Sequence, residues 1–450
     1  MAATAIDSGI LGKFFAAPAM RAVFSDRVRV GHYLAFEAAL ARVQARLGLI
    51  PAAAGEEIAR HCRVERIDMV RLAEETARVG SPIIGLVQQL VGLCDGDLGQ
   101  YCHWGATTQD VTDTATVLQL RDALALVDDD LAAVAAGLAD LARRHRDTPV
   151  AGRTNLQQAV PVTFGFKMAG LLAAFDRHRA RLAELRPRVL VGQFAGAAGT
   201  LAGLPERGLE VQAAVMAELG LGQPAIAWHT QRDGIAEAAC FLGLVGGTLG
   251  KLAVDVKLMM QTEVGEVFEP SAPGRGASST MPQKRNPVAC IYIHAAVAAA
   301  RPQVTAILEA MVAEHERAAG PWQIEWVALP ELCCLTAGAL GHARALVGGL
   351  EVDARRMRAN LDLTHGLVVS EAVMMGLAPH LGRARAHHLV ADLCRDALST
   401  GRPLVDLLAE AEEVTRHLDR PALERLCDPV RYLGLAGPMV DRVLAGRDDG

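Results

Sequence analysis

Val117, Leu120, Leu124, Val127, Leu131, Val134, Leu138 and Leu141 alternate spacings of three and four without a break. A seam sustained for more than three heptads predicts one long helix packed lengthwise against others. Asp110 lies near its start and Pro149 just past its end. The expected helix runs from about 110 to 146, roughly 54 Å at 1.5 Å per residue.

The pattern recurs. Leu242, Val245, Leu249, Leu252, Val256 and Met259 repeat the spacing, as do Val297, Val304, Ile307 and Met311, with Pro302 as an expected kink. A shorter seam, Tyr33, Phe36, Leu40, Val43 and Leu47, lies near the N-terminus. Residues 160–190 and 331–358 also read as helical. Strand-like alternation between turn signals is absent, which argues against a substantial sheet. The expected class is therefore all-α: a central bundle of about five long helices at 110–358, flanked by helical domains at 1–109 and 359–450. The glycines of 243–250 sit inside a seam and follow no strand, so they read as close helix approach rather than a phosphate loop.

Composition fits that picture. Apolar residues are 51% of the 450, aromatics only 4%, so the excess is small aliphatics suited to close helix packing, some of it expected between subunits. The net charge of −6 gives no general attraction for nucleic acid. No apolar run approaches the ~18 residues of a membrane span, and no signal peptide is evident at Met1–Asp7. The nine cysteines form no CxxC pair and read as reduced, mostly buried thiols of a cytoplasmic protein.

Chemistry concentrates in Ala272-Pro-Gly-Arg-Gly276-Ala-Ser278-Ser279-Thr-Met-Pro-Gln-Lys284-Arg-Asn286-Pro287. Two glycines permit a loop to move, and Asn286-Pro287 reads as an N-cap followed by proline at the first helical position. A helix N-terminus beside Lys284 would attract carboxylates and stabilise developing negative charge. A serine hydroxyl there could move protons. Elsewhere, His229, Gln231 and Arg232 before a helix could bind a carboxylate, Arg232 in a bidentate contact. Glu314-His-Glu-Arg317 is not a zinc motif, and no metal site is expected.

The string from Gly276 to Pro287 resembles the signature of the fumarase/aspartase/argininosuccinate lyase superfamily, G-S-S-x-M-P-x-K-x-N-P, and the resemblance covers nearly the whole chain. It implies an all-helical three-domain subunit, a homotetramer with a shared central bundle, and active sites each built by three subunits. It also implies that Ser278, six residues before Lys284, is the catalytic base on a mobile loop, with Ser279 beside it. Ala277 stands where the family usually has glycine or joins the glycine directly to serine. A second stretch, His103-Trp-Gly-Ala-Thr107-Thr108-Gln-Asp110, resembles the family's H-x-G-x-T-S-x-D region, whose hydroxyl pair binds substrate carboxylate.

The third match, Gly152-Arg153-Thr-Asn155-Leu-Gln157, implies substrate contacts at Arg153 and Gln157 but departs from the family's R-T-H-L-Q. Asn155 stands where the lyases carry a histidine that helps protonate the leaving group, and asparagine cannot be a general acid. Amines and hydroxide need that proton. A carboxylate, with a conjugate-acid pKa of about 4, does not.

That chemistry resembles the 3-carboxy-cis,cis-muconate cycloisomerase branch, in which a substrate carboxylate adds across its own double bond to form a lactone. Trp228–Asp233, Gln261–Pro273 and the stretch from Glu314 to Cys334 resemble that branch too. Trp322, Gln323 and Trp326 stand where adenylosuccinate lyases hold a nucleotide phosphate. The expectation is a cytoplasmic, cofactor-independent cycloisomerase of protocatechuate-type catabolism acting on a small carboxylated alkene. Ser278, Lys284 and either His103 or His229 would be catalytic, and Thr107, Thr108 and Asn286 would hold carboxylates. Two alternatives stay open. One is a fumarate-releasing lyase, of nitrosuccinate type before adenylosuccinate or argininosuccinate type. The other is a non-catalytic structural homologue.

Overall fold

The computed structural model describes residues 4–270, 276 and 280–448. Six helices dominate: α1 (Asp26–Arg46), α2 (Thr108–Arg144), α3 (Phe164–Val189), α4 (Asp233–Met259), α5 (Val288–Glu309) and α6 (Pro321–Gly349). Shorter helices fill most of the remainder, including Gly208–Leu219, Ser370–Leu381 and Arg383–Thr400. The fold is all-α, as the seams predict.

Helix α2 begins two residues before its expected start, and its own side chains explain why. Thr107 N–H donates to Asp110 Oδ2 at 3.0 Å, one half of a capping box. Arg143 and Arg144 lie in the last turn, where cations offset the negative end of the helix dipole. All eight seam residues of α2 are at most 1% exposed. Each such burial contributes about 1.5–3 kcal/mol.

The seam residues of α4 are buried within the same chain, as are Val297 and Ile307 of α5. Some of this apolar excess is expected between subunits, and for these residues that location needs correction. What stays exposed on α5 is the opposite face, with Ile291, His294, Ala298, Thr305 and Leu308 at helical spacing. A Cβ on Gly243 would come 3.2 Å from Val304, so close helix approach is the reason for that glycine.

A second correction concerns length and hydropathy. No membrane-length apolar run is expected from the sequence, yet α4, α5 and α6 are each long and apolar enough to cross a membrane by length and composition. The difference arises because Ala and Gly spread a high mean hydropathy over many residues without an unbroken aliphatic run. In the most apolar windows of α4 and α6, 56% and 61% of residues are buried inside the chain; in α5 only 28% are. Among the described residues, one face of α5 therefore stays exposed.

The span 160–190 is not helical throughout. Strands β1 (Pro149–Thr154) and β2 (Gln157–Thr163) form an antiparallel hairpin, and α3 starts only at Phe164. Likewise 331–358 is interrupted after α6. A two-residue strand β4 (Glu351–Val352) pairs there with β3 (Val267–Phe268) before a short helix at Ala354–Asn360. Both two-stranded sheets are small, so local turn chemistry at 155–156 and long-range pairing of 267–268 with 351–352 override an apolar pattern too short to distinguish helix from strand.

The chain forms two compact units. One comprises Met1–Leu131, His178–Leu249 and Tyr292–Gly341; the other comprises Ala132–Arg177, Gly250–Ile291 and His342–Gly450. The first has a core around Phe36, Leu40, Val43, Leu86, Leu90, Val117, Phe194 and Met216. The second contains a C-terminal core of Val373, Leu377, Val390, Leu404, Leu408 and Leu423. All nine cysteines are free thiols, three of them buried and six half-buried.

Truncating the α2 seam should be costly. Leu120→Ala removes a side chain with no exposed surface and should destabilise the fold by about 2–5 kcal/mol, read as a lowered urea or thermal midpoint.

Candidate functional site

In the first unit the site is organised by one carboxylate. Asp110, in the first turn of α2, accepts hydrogen bonds from four donors. They are Thr107 N at 3.0 Å, Ala195 N at 3.0 Å, Gly196 N at 2.9 Å and His229 Nε2 at 2.8 Å. Asp110 and His229 are both buried. Their contact fixes the His229 ring, and Nδ1 carries no hydrogen bond to another described residue. Gln109 donates to the His229 carbonyl at 2.8 Å, so adjacent α2 residues hold this histidine by side chain and backbone. Thr107 and Thr108 are half-buried at the same helix end, with Thr108 Oγ1 3.4 Å from Ser81 Oγ.

His103 is held from another direction. Its Nδ1 lies 2.6 Å from Glu37 Oε1 on α1. Burial would lower the imidazole pKa, but the charge and hydrogen bond of Glu37, with Asp110 adding, overcome this and raise it above the ordinary histidine value. The backbone at His103 is left-handed, with φ 59°, a conformation that costs a non-glycine residue on the order of 1 kcal/mol. One turn of the site is therefore strained and pinned. Glu37 was not foreseen, although a glutamate between Phe36 and Leu40 of an apolar seam was the available signal.

Arg232 is placed differently from expectation. It is 2% exposed, and its guanidinium spans two carboxylates, Asp113 at 2.8 Å and Glu325 at 2.5 Å. Trp228 lies under it at 4.8 Å, and Trp322 Nε1 donates to Asp113 at 3.1 Å. Burial opposes its charge, but the two carboxylates raise its pKa. The expected bidentate contact exists, with protein carboxylates as partners in place of substrate. Gln231, one residue earlier, is exposed and lines a separate cavity of about 200 Å³ with Arg188, Ile226 and Trp228. Arg317 donates to Gln109 at 2.8 Å and to the carbonyl of Gly196 at 2.9 Å. Burial lowers its pKa against the pull of Asp110 and Asp113.

In the second unit, Arg153 makes a two-pronged pair with Glu266, at 2.8 and 2.6 Å. Asn360 donates to the same carboxylate at 2.8 Å. Asn155 and Leu156 form the two-residue loop between β1 and β2, with Thr154 paired to Gln157. Both loop residues have positive φ, 51° and 64°, the pattern of a tight hairpin turn in which asparagine is favoured at the first position. Asn155 thus has a local structural reason, and Gln157 beside it is exposed.

Lys284 is exposed. Asn286 does not cap α5 as expected. Its Nδ2 donates to the Gly276 carbonyl at 3.0 Å, and its backbone N–H donates to the same oxygen at 3.2 Å. The cap is Glu269, whose two oxygens accept from Ala289 N and Cys290 N, each at 2.9 Å. A carboxylate of the protein therefore already occupies the helix N-terminus proposed to attract substrate, because a long side chain reaches the bare amides that proline leaves free. Ser278 and Ser279 lie outside the described residues. Among the described residues no group of three or more His, Cys, Asp or Glu side chains is arranged to hold a metal.

The class of the protein follows from comparison with known families. The family model described as Lyase matches residues 12–300, and that described as Adenylosuccinate lyase C-terminus matches 366–443. The chain belongs to the fumarase/aspartase lyase superfamily and is an enzyme similar to its 3-carboxy-cis,cis-muconate cycloisomerases. It is 55% identical to 3-carboxy-cis,cis-muconate cycloisomerase of Pseudomonas aeruginosa, covering 96% of this chain and 95% of that protein. It is 52% identical to trans-aconitate decarboxylase 1 of Mycosarcoma maydis, covering 97% and 89%. The structure of the 3-carboxy-cis,cis-muconate lactonizing enzyme from Pseudomonas putida matches with a TM-score of 0.92 at 47% identity, covering 97% and 98%.

The placement of Arg232 has a direct consequence. Arg232→Met strands two buried carboxylates and should cost about 3–5 kcal/mol in stability, seen as a fall in the unfolding midpoint. A variant of wild-type stability with only a raised KM would instead mark Arg232 as a substrate ligand.

Proposed function

We propose that this chain converts 3-carboxy-cis,cis-muconate to a carboxymuconolactone without a cofactor. The observation that carries this reading is the near full-length similarity to cycloisomerases. Asn155 agrees with it: the residue is committed to a hairpin turn and offers no proton to a departing amine. Thr107, Thr108 and Lys284 hold substrate carboxylates. One carboxylate oxygen attacks the alkene, and the electron pair moves onto the neighbouring carboxylate as an aci-carboxylate. That charge is met by Lys284 and fixed dipoles. Ser278 then delivers a proton to carbon, which completes the lactone.

The exposed face of α5 supports a homotetramer built through the long helices, with sites completed by neighbouring subunits. The three-domain division at 109 and 358, the cytoplasmic location and a role in protocatechuate-type catabolism belong to the same proposal. A second reading, decarboxylation of trans-aconitate, is favoured by the similarity to the Mycosarcoma maydis protein. Both candidate substrates are unsaturated tricarboxylates, and both reactions require a proton placed on carbon.

Incubation with each substrate separates the readings. Loss of the conjugated diene absorbance, without release of carbon dioxide or fumarate, is the result expected. Carbon dioxide from trans-aconitate at a higher kcat/KM would replace the first reading with the second. Ser278→Ala should lower kcat by about 10²–10⁴ while the assembly keeps its mass in light scattering. Near-normal turnover in that variant would remove Ser278 from the mechanism.

A further inference from the structure

Helix α1 carries two buried polar side chains seven residues apart, Glu37 and Gln44, on the face otherwise formed by Tyr33, Phe36, Leu40 and Val43. Seven residues are two helical turns, so both point the same way. Both are spent on one short turn. Glu37 Oε1 meets His103 Nδ1 at 2.6 Å, and Gln44 Nε2 donates to the Trp104 carbonyl at 2.8 Å. That turn holds His103 and Gly105 at positive φ, 59° and 78°, and leads within four residues into Thr107 and Thr108. An apolar helix face does not accept two polar side chains at no cost. Here both serve to fix the ring and the backbone of a single histidine.

The charge at this turn follows from the same geometry. Glu37 is 1% exposed, and its second oxygen, Oε2, is buried with no hydrogen-bond partner among the described residues. Among the described residues its one side-chain hydrogen bond is to His103. A buried carboxylate with a single partner is stable only if that partner supplies the compensating charge. The groups facing the couple are few. Asp110 on α2 adds negative charge, and burial keeps the thiols of Cys62 and Cys102 protonated. None of these opposes a proton on the imidazole.

We propose that Glu37 is a positioning residue that locks the ring of His103 and holds it as an imidazolium, so that His103 binds a substrate carboxylate as a cation and does not act as a general base. The two histidines then differ in kind: His103 is the fixed cation beside Thr107 and Thr108, and His229 is left for proton movement. This rests on the proposed carboxylate substrate.

Two measurements test it separately. The first needs no substrate. Protein labelled with carbon-13 histidine is titrated by NMR, with the His103 resonance identified by its loss in His103→Gln. In the wild type the imidazole should stay protonated at pH 7.5. In Glu37→Gln its midpoint should fall to the ordinary histidine value or below, since burial then acts without its counter-charge, and Glu37→Asp should restore part of the shift. A neutral His103 at pH 7.5 in the wild type, or an unchanged midpoint in Glu37→Gln, would overturn the proposal. The wild-type titration decides even if the glutamine variant fails to fold.

The second measurement is kinetic. Between pH 6 and 7.5, kcat/KM of Glu37→Gln should fall about tenfold more than that of the wild type, with the loss in KM and kcat within about twofold. A pH-independent loss, equal in kcat and kcat/KM, would mean a merely structural role and would also overturn it. Failure to turn over any tricarboxylate would count against the proposed function alone, because the NMR titration judges the couple independently.

Discussion

The Asp110 carboxylate is the interaction on which the first unit's site depends. Four donors from three stretches of chain converge on two oxygens: the N-cap of α2, the backbone at Ala195 and Gly196, and the ring of His229. A charge buried this deeply is tolerable only when its lone pairs are filled, so the segments cannot drift independently. Because Asp110 also sits in the first turn of α2, the same contact starts the longest helix. The start of the helix and the placement of the histidine thus share one carboxylate.

The chain uses the same device in both units. His229 leans on Asp110, His103 on Glu37, Arg153 on Glu266 and Arg232 on Asp113 with Glu325. Each couple buries a carboxylate to orient a nitrogen base. Such pairs add little net stability compared with apolar packing, and breaking one is costly. Their use is to fix ring and fork orientation on a backbone that the apolar seams hold. The seams provide the stability and the couples aim the side chains.

How much was legible beforehand follows from range. The seams of α2 and α4 show in the sequence because a heptad pattern is local and redundant: eight residues report one helix. The hairpin at 149–163 did not show. Its turn, Asn155-Leu156, lacks the glycine that would mark it, and each strand is too short for a decisive period. Lys284, Thr107, Thr108 and Ser278 stood out through a motif. Glu37 and Glu269 did not, because their partners lie 66 and about 20 residues away. Asn286-Pro287 carried the local mark of a cap, yet Glu269 took that place, because its longer side chain brings charge to the free amides.

By itself the sequence determined the all-helical class, the long rods, the superfamily and the departure at Asn155, since each is written in neighbouring residues or in a continuous motif. Tertiary structure decided what those residues face. It sealed Arg232 between two carboxylates, turned Asn286 back onto Gly276, covered the seams within the chain and gave the two histidines different partners. Pairing between residues far apart in sequence depends on how helices pack, and a linear pattern does not encode which buried charge meets which.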